Sequence, residues 1–290
     1  MVVGTVAKVA VIGADGQLGI ELVEVFGKAA VTLTKKDIDV TDVSTFGVLM
    51  HAKPDVIINT AAHVNVDLAE KEADQAFKVN AVGAYNVARF ANEIGAVCMY
   101  ISTDYVFDGK KGSPYAESDV PNPLSIYGAS KYAGEILTRN YSPNHYIIRL
   151  AALFGKAGAS GKGGNFVETI ISKAKNREEL KVVDDMISSF TYAKDAAASI
   201  KRLVDLKPEY GAYHAANSGW CSLNEFARKF LGYLKLNAEV KKIKSEELGR
   251  PAKRPMNSAL KNEKLERLGI KMPGWEDALK RYLIEKGHMR

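Results

Sequence analysis

Cysteine is scarce in this sequence: its 290 residues include only Cys98 and Cys221. The two lie far apart, without the spacing of a metal knuckle, and Cys98 sits inside the apolar run AVCMYIS. Buried free thiols are expected, and a disulfide framework or a cysteine metal site is not. Long apolar runs are also missing, since no window approaches the ~18 to 20 residues that a membrane-spanning helix requires. No basic, apolar and small-residue succession of the signal-peptide kind opens the chain, so a cytoplasmic protein without a membrane partner is expected. Internal repeats and low-complexity tracts are absent. A composition of 47% hydrophobic and 26% charged residues suits one large core or two unequal ones.

The net charge of +6 is unevenly placed, because residues 241–290 carry 14 Lys or Arg against 7 Asp or Glu. No aromatic residues interleave with these cations and no nucleic-acid module is present, so nucleic acid is not an expected partner. A solvated basic surface and a site for an anionic small ligand both remain open.

Apolar runs alternate with helical patterns through the first half. VAKVAVIG, AVTLT, DVIINTAA, AVCMYIS and HYIIRLAALFG read as strands. Helices are expected from about Leu18, near Ser44 to His51, from about Asp74 to Glu93, and over SIYGASKYAGE. Strands that are apolar nearly throughout imply burial on both faces, hence a doubly wound parallel sheet of the Rossmann type. After Gly155 the pattern loosens into a glycine-rich loop, a helix, KVVDD, a helix near Tyr192 to Leu206, and GAYHAA. Then come SLNEF, with Ser222 and Glu225 spaced as a capping box, a charged strand-like stretch, the loop GRPAKRPMNSAL and a helix from about Trp275. The expected division is a nucleotide-binding domain over 1–154, with 190–217 returning to it, and a smaller substrate-binding lobe from 155–189 and 218–290.

VAVIGADGQLG places Gly13, Gly16 and Gly19 between the first strand and the first helix. Glycines there let the backbone turn tightly and approach a pyrophosphate seated on the helix N-terminus. A merely tight turn is the bland alternative. At the end of the second strand, where an acidic residue would bind the ribose 2′-hydroxyl of NAD, stands Thr34, followed by Lys35 and Lys36. Without a carboxylate to repel a 2′-phosphate, and with two ammonium groups to attract it, NADP(H) is favoured over NAD(H); two solvated lysines are the alternative.

In SIYGASKYAGE, Tyr127 and Lys131 are four residues apart and share a helix face. A tyrosine hydroxyl titrates near 10, and a neighbouring ammonium would draw it toward the range useful for proton exchange. The spacing alone is common on helix surfaces. Combined with the glycine pattern, NTAA, KVNAVGAYNVA and ISTDYVFDG, it resembles the extended short-chain dehydrogenase/reductases. The resemblance implies that Thr103 hydrogen-bonds a reacting carbonyl oxygen, Tyr127 delivers the proton and Lys131 holds the nicotinamide ribose. It also implies a cofactor site of Gly13, Asp15, Gly16, Gln17, Leu18, Gly19, Thr34, Lys35, Asp39, Val40, Ala61, Ala62, His63, Tyr127 and Lys131, with Asp39 and Val40 at the adenine.

Within that superfamily, ISTDYVFDGKKGSPYAESDVPNPLSIYGASKYAGE, VVDDMISSFTYAKDAA, GAYHAANSG and RPMNSAL resemble the dTDP-4-dehydrorhamnose reductase family. The implied activity is NADPH-dependent reduction of the 4-keto group of a dTDP-linked 6-deoxy sugar. Thr103 and Asp104 would face the sugar, Asn165 and Arg254 the diphosphate or nucleotide, with no metal. Ala152 stands where the family pattern has tryptophan, Met186 and Phe190 where glutamine and proline are usual, and Val64 where threonine is common. The regulatory β subunit of methionine adenosyltransferase shares the fold and many motifs, so a cofactor-binding regulatory subunit is the alternative. Assembly is left open, a homodimer being one outcome.

Overall fold

The computed structural model describes residues 7–158 and 165–289. The expected strands form β1 (Val9–Ile12), β2 (Ala30–Leu33), β3 (Val56–Asn59), β4 (Val97–Thr103) and β5 (His145–Leu150). Shorter strands follow: β6 (Leu153–Phe154), β7 (Leu180–Val183), β8 (Ile187–Ser188), β9 (Thr191–Tyr192), β10 (Gly211–His214), β11 (Cys221–Ser222) and β12 (Val240–Ile243). The main sheet has the order β10-β5-β4-β3-β1-β2, and every pairing in it is parallel. The GAYHAA segment thus supplies the edge strand beside β5. Because β1 has β2 on one side and β3 on the other, the winding reverses there, and a crevice opens at the carboxyl ends of the strands.

The helices are α1 (Gln17–Phe26), α2 (Gly47–Ala52), α3 (Val66–Ala69), α4 (Ala73–Phe77), α5 (Gly83–Glu93) and α6 (Ile126–Tyr141), then α7 (Phe166–Lys175), α8 (Ala193–Leu206), α9 (Leu223–Tyr233), α10 (Glu263–Arg267) and α11 (Trp275–Glu285). Leu18 and Leu22 of α1 pack with Ile200 and Leu203 of α8 on one face of the sheet. Phe46, Leu49, Val87 and Ala91 cover the other. Each such fully buried aliphatic or aromatic side chain contributes roughly 1.5–3 kcal/mol. Parallel strands need this double cover, which is why β1 and β3 are apolar at every position.

A separate core joins α7, α9 and α11 through Val167, Phe226, Phe230, Trp275 and Tyr282. Phe190 stacks on Phe226 there, with ring centroids 3.8 Å apart and planes at 4°. This unusual family position is therefore spent on packing. Ser222 accepts a hydrogen bond from the Glu225 amide at 3.0 Å and donates to Asp184 at 2.7 Å, which is one half of the expected capping box. Residues 159–164 of the glycine-rich loop lie outside the described residues.

Two expected helices are built differently from their sequence patterns. The segment near Ser44 to His51 begins as a 3-10 turn, Val43–Phe46, before α2. The long helix from Asp74 to Glu93 is interrupted by a π-helical stretch, Lys78–Val82, between α4 and α5. That stretch turns Asn80 inward. Its side chain accepts from the His63 amide at 2.8 Å and donates to the His63 carbonyl at 3.1 Å and Ser130 Oγ at 3.0 Å. A single wide turn thus ties the segment after β3 to α6, as π-bulges at functional sites often do.

Candidate active site

A cavity of about 700 Å³ runs along the carboxyl ends of the sheet strands and reaches the N-terminus of α7. At one end lie Gly13, Asp15, Gly16, Gln17 and Leu18, and Lys35, Asp39 and Val40 line the same region. Gly13 has φ of 78°, and a Cβ there would sit 2.6 Å from Thr60 Oγ1, so only glycine fits. Thr60 donates to the carbonyls of Ile12 and Gly13 at 2.7 and 3.1 Å, clamping this loop onto the end of β3. Gly16 caps α1 without a side chain, which leaves the first-turn amides to a ligand. This side-chain-free cradle and uncapped ten-residue helix fit a dinucleotide pyrophosphate. Among the described residues, His63 Nδ1 is also buried with no hydrogen-bond partner in the same cavity.

The 2′-phosphate corner differs from expectation. Thr34 does not line the cavity; its amide and hydroxyl both donate to Asp37, at 2.8 and 2.7 Å. A carboxylate, that of Asp37, does stand near the end of β2, three residues beyond Thr34. These two hydrogen bonds from Thr34 hold its titration below the ordinary carboxylate range. Of the two lysines, Lys35 lines the cavity. Asp39 accepts from the Thr41 amide and hydroxyl at 2.9 and 2.8 Å, which fixes it at the cavity wall. Ala61, Ala62 and His63 line the cavity after β3.

At the far end, α6 brings Tyr127 and Lys131 into the same cavity as Thr103 and Asp104, which follow β4. Ser125 caps α6 by accepting from the Gly128 amide at 3.2 Å, and Glu70 accepts from the Ile126 amide at 2.9 Å. The polar ends of Tyr127 and Lys131 nevertheless diverge. Lys131 Nζ donates to the Ile101 carbonyl at 2.6 Å and lies 4.1 Å from the centre of the Tyr100 ring. Burial lowers Lys131 to about 7, opposed by the Glu135 carboxylate one turn further along α6. Burial raises the Tyr127 hydroxyl above its ordinary value, and the Thr103 hydroxyl acts against that rise. Without the cofactor, the Lys131 ammonium is directed at the Ile101 carbonyl rather than at the tyrosine, and desolvation keeps the Tyr127 phenol protonated at neutral pH.

Glu135 anchors a buried polar row behind the site. It accepts from Arg149 at 2.9 and 2.7 Å and from Ser102 at 2.5 Å. Arg149 NH1 lies 3.4 Å from His214 Nε2, and His214 Nδ1 is 3.1 Å from the Lys261 carbonyl. The carbonyl can only accept, so Nδ1 carries the proton and Nε2 faces the guanidinium. Burial and then Arg149 push His214 down to about 3, keeping it neutral. The i+4 step from Lys131 to Glu135 continues the Tyr127–Lys131 face and was readable in the sequence; Thr60 and Asn80 lay in quoted motifs without an assigned role.

The two residues expected at the diphosphate are already engaged. Asn165 lines the cavity, but it caps α7 by accepting from the Val167 amide at 2.9 Å. Its amide donates to the Gly155 carbonyl and the Tyr282 hydroxyl, each at 3.0 Å. No donor is left for a ligand. Arg254 is not among the lining residues, and its guanidinium grips Asp67 of α3 with two hydrogen bonds of 3.0 and 2.7 Å. Much of the basic excess after residue 240 is likewise paired, for example Lys241 with Glu179 at 2.8 Å and Arg281 with Asp195 at 2.7 Å. Val64 and Ala152 both line the cavity, whereas Met186 is buried away from it. Ala152 adopts φ of 39°, a left-handed conformation costly for a residue with a Cβ.

A glycine loop over the winding reversal of a parallel sheet, joined by one cavity to a half-buried tyrosine beside a threonine, defines a dinucleotide-dependent short-chain reductase. Comparison with known proteins narrows the class. The family model described as RmlD substrate binding domain matches residues 7–287. The spore coat polysaccharide biosynthesis protein SpsK of Bacillus subtilis is 41% identical over 286 residues, covering 96% of this chain and 98% of that one. A dTDP-4-dehydrorhamnose reductase of Sinorhizobium fredii is 34% identical, covering 94% and 96%. The crystal structure of the Bacillus anthracis dTDP-4-dehydrorhamnose reductase in complex with NADP superposes with a TM-score of 0.91 at 41% identity, covering 96% and 99%. The chain belongs to the dTDP-4-dehydrorhamnose reductase family.

Proposed function

We propose that the protein reduces the 4-keto group of a dTDP-linked 6-deoxy sugar, converting dTDP-4-dehydrorhamnose to dTDP-L-rhamnose with NADPH. The observation that carries this reading is the single cavity holding the pyrophosphate cradle at one end and Tyr127 with Thr103 at the other. A dihydronicotinamide held in this cavity would supply the hydride. The chain supplies the rest: amides around Gly13, Asp15, Gly16, Gln17, Leu18 and Gly19 hold the pyrophosphate, and Lys35 meets the 2′-phosphate. Asp39 and Val40 flank the adenine, and Ala61, Ala62 and His63 line the path between the two ends. Tyr127, half-buried and kept protonated by desolvation of its hydroxyl, gives its proton to the oxygen as negative charge develops there. Lys131 holds the nicotinamide ribose, Thr103 and Asp104 face the sugar, and Arg254, from outside the cavity, braces α3 through Asp67, next to the lining residue Val66.

Among the described residues no helix is long and apolar enough to cross a membrane. A cytoplasmic setting goes with the proposal and is supported by the two free, buried cysteines. The test is to incubate the protein with NADPH and dTDP-4-dehydro-6-deoxy-L-mannose, and in parallel with other nucleotide-linked 4-keto sugars, and to identify the product by NMR. Turnover of another sugar in preference would redirect the substrate assignment, for which the space at Ala152 is the structural reason. NADPH binding without turnover of any of them would favour a cofactor-binding regulatory subunit.

A further inference from the structure

Asp104 is 3% exposed, and no cation pairs with it among the described residues. Its neighbours are hydroxyls. Ser258 Oγ donates to Oδ2 at 2.5 Å, Ser188 Oγ to the same oxygen at 3.4 Å, and Thr103 Oγ1 to Oδ1 at 3.0 Å. Two of the three come from the second half of the chain, and Ser258 belongs to the RPMNSAL loop. That loop is zipped to β8: the Ser258 amide donates to the Ile187 carbonyl at 2.9 Å and the Ile187 amide to the Met256 carbonyl at 2.8 Å. Backbone pairing therefore sets where the Ser258 hydroxyl, itself 3% exposed, is delivered.

The consequence falls on Thr103. A hydroxyl has one hydrogen and two lone pairs. The Thr103 hydrogen is directed at Asp104, and one lone pair is taken by the Tyr105 amide at 3.2 Å. What remains toward the cavity is a lone pair, so in this arrangement Thr103 can accept a hydrogen bond but not donate one. To donate to a carbonyl oxygen, it must release Oδ1 of Asp104. Donors on Oδ2 draw charge away from Oδ1 and ease that release.

We infer that Ser258 is a positioning residue for the reduction: by donating to Asp104 it sets how tightly the carboxylate holds the Thr103 hydrogen, and so couples the RPMNSAL loop to the oxygen-binding pair. The inference rests on the reduction proposed above and extends it to a residue that touches neither cofactor nor sugar. The titration of Asp104 is consistent with it. Burial raises this carboxyl to about 6, while Ser258, Thr103 and Ser188 pull it down, in that order. Tyr105 and Tyr127 are the titratable groups that feel its charge, and Arg254 and Arg250 act in turn on Tyr105.

The test uses Ser258→Ala and Ser188→Ala in the full chain. Ser258→Ala is expected to leave NADPH affinity and the keto-sugar KM within about two-fold while kcat falls about ten-fold or more, because the lost bond is to a charged group and acts on the transition state. The pH at which kcat responds to protonation of Asp104 should move higher, since Asp104 loses a donor that favours its charged form. Ser188→Ala should do the same to a smaller extent. A second readout needs no substrate: carbon NMR of carboxyl-labelled aspartate, with Asp104 assigned through Asp104→Asn. Its titration midpoint should rise in Ser258→Ala and less in Ser188→Ala. Absence of turnover in the parent would defeat the proposed reaction, and the NMR midpoint would still decide the Ser258 contact. An unmoved midpoint overturns the inference, whether kcat is unchanged or falls together with cofactor affinity and Tm. Should Ser258→Ala fail to fold, the midpoint in Ser188→Ala decides alone.

Discussion

Tyr127 and Lys131 lie one helical turn apart, yet the ammonium is directed at the Ile101 carbonyl and desolvation, above all, sets the titration of the phenol. The four-residue spacing identifies a shared face but not where a long, flexible lysine places its end. A lysine brought down to about 7 has a stability consequence. Above pH 10.5, the ordinary value, the group is neutral whether folded or unfolded. Between about 7 and 10.5 only the unfolded chain holds the proton, so the stability contributed by this group rises with pH. Below about 7 both states hold it, and the folded state carries the full cost of a buried charge. Lys131→Met should therefore be more stable than the parent by its widest margin at or below pH 7, narrowing toward pH 10. Urea unfolding at several pH values measures the margin, and a constant one would contradict a buried, weakly basic lysine. Lys35 offers the matching cofactor test: Lys35→Ala should weaken NADPH about five-fold and leave NADH nearly unchanged, the modest size reflecting solvent screening of an exposed charge. Fluorescence titration reads both affinities, and equal loss for the two cofactors would remove the 2′-phosphate role.

At the scale of elements, the strands were legible because burial on both faces leaves a mark in composition, as in VAVI of β1 and VIIN of β3. The π-helical stretch left none. KVNAV reads as ordinary helix, and the widening comes from tertiary contacts: Tyr100 donates to the Asn80 carbonyl at 2.8 Å, and Gly134 of α6 lies against both. A Cβ on Gly134 would be 2.3 Å from the Asn80 carbonyl oxygen and 2.4 Å from the Tyr100 hydroxyl. Neither backbone nor a fully buried ring yields cheaply. Gly134→Ala should thus cost about 1–3 kcal/mol despite the better helix propensity of alanine. Denaturant unfolding decides between this and the gain that propensity alone would give. Asn165 illustrates the same limit: an asparagine ahead of an apolar helical pattern is as good an N-cap as a ligand, and the cap is what formed.

At the scale of the molecule, the parallel sheet and the cavity above its winding reversal follow from features spread along the sequence. The pairing of Arg254 with Asp67 does not: these residues are 187 positions apart, and nothing local in either segment names the other. The charge excess of the C-terminal segment left an anion site open, whereas in three dimensions several of those cations meet carboxylates from earlier in the chain. The RPMNSAL loop likewise shows its use only when folded against β8 and Asp104. The proposed reduction requires that one tyrosine, reached from the same cavity as the pyrophosphate cradle, protonates the reduced sugar. The most direct measurement follows the absorbance of NADPH with dTDP-4-dehydro-6-deoxy-L-mannose for the parent and for Tyr127→Phe. The account predicts turnover by the parent, a loss of about 10²- to 10⁴-fold in kcat for the variant, and unchanged NADPH affinity. Parental turnover retained by Tyr127→Phe would contradict it.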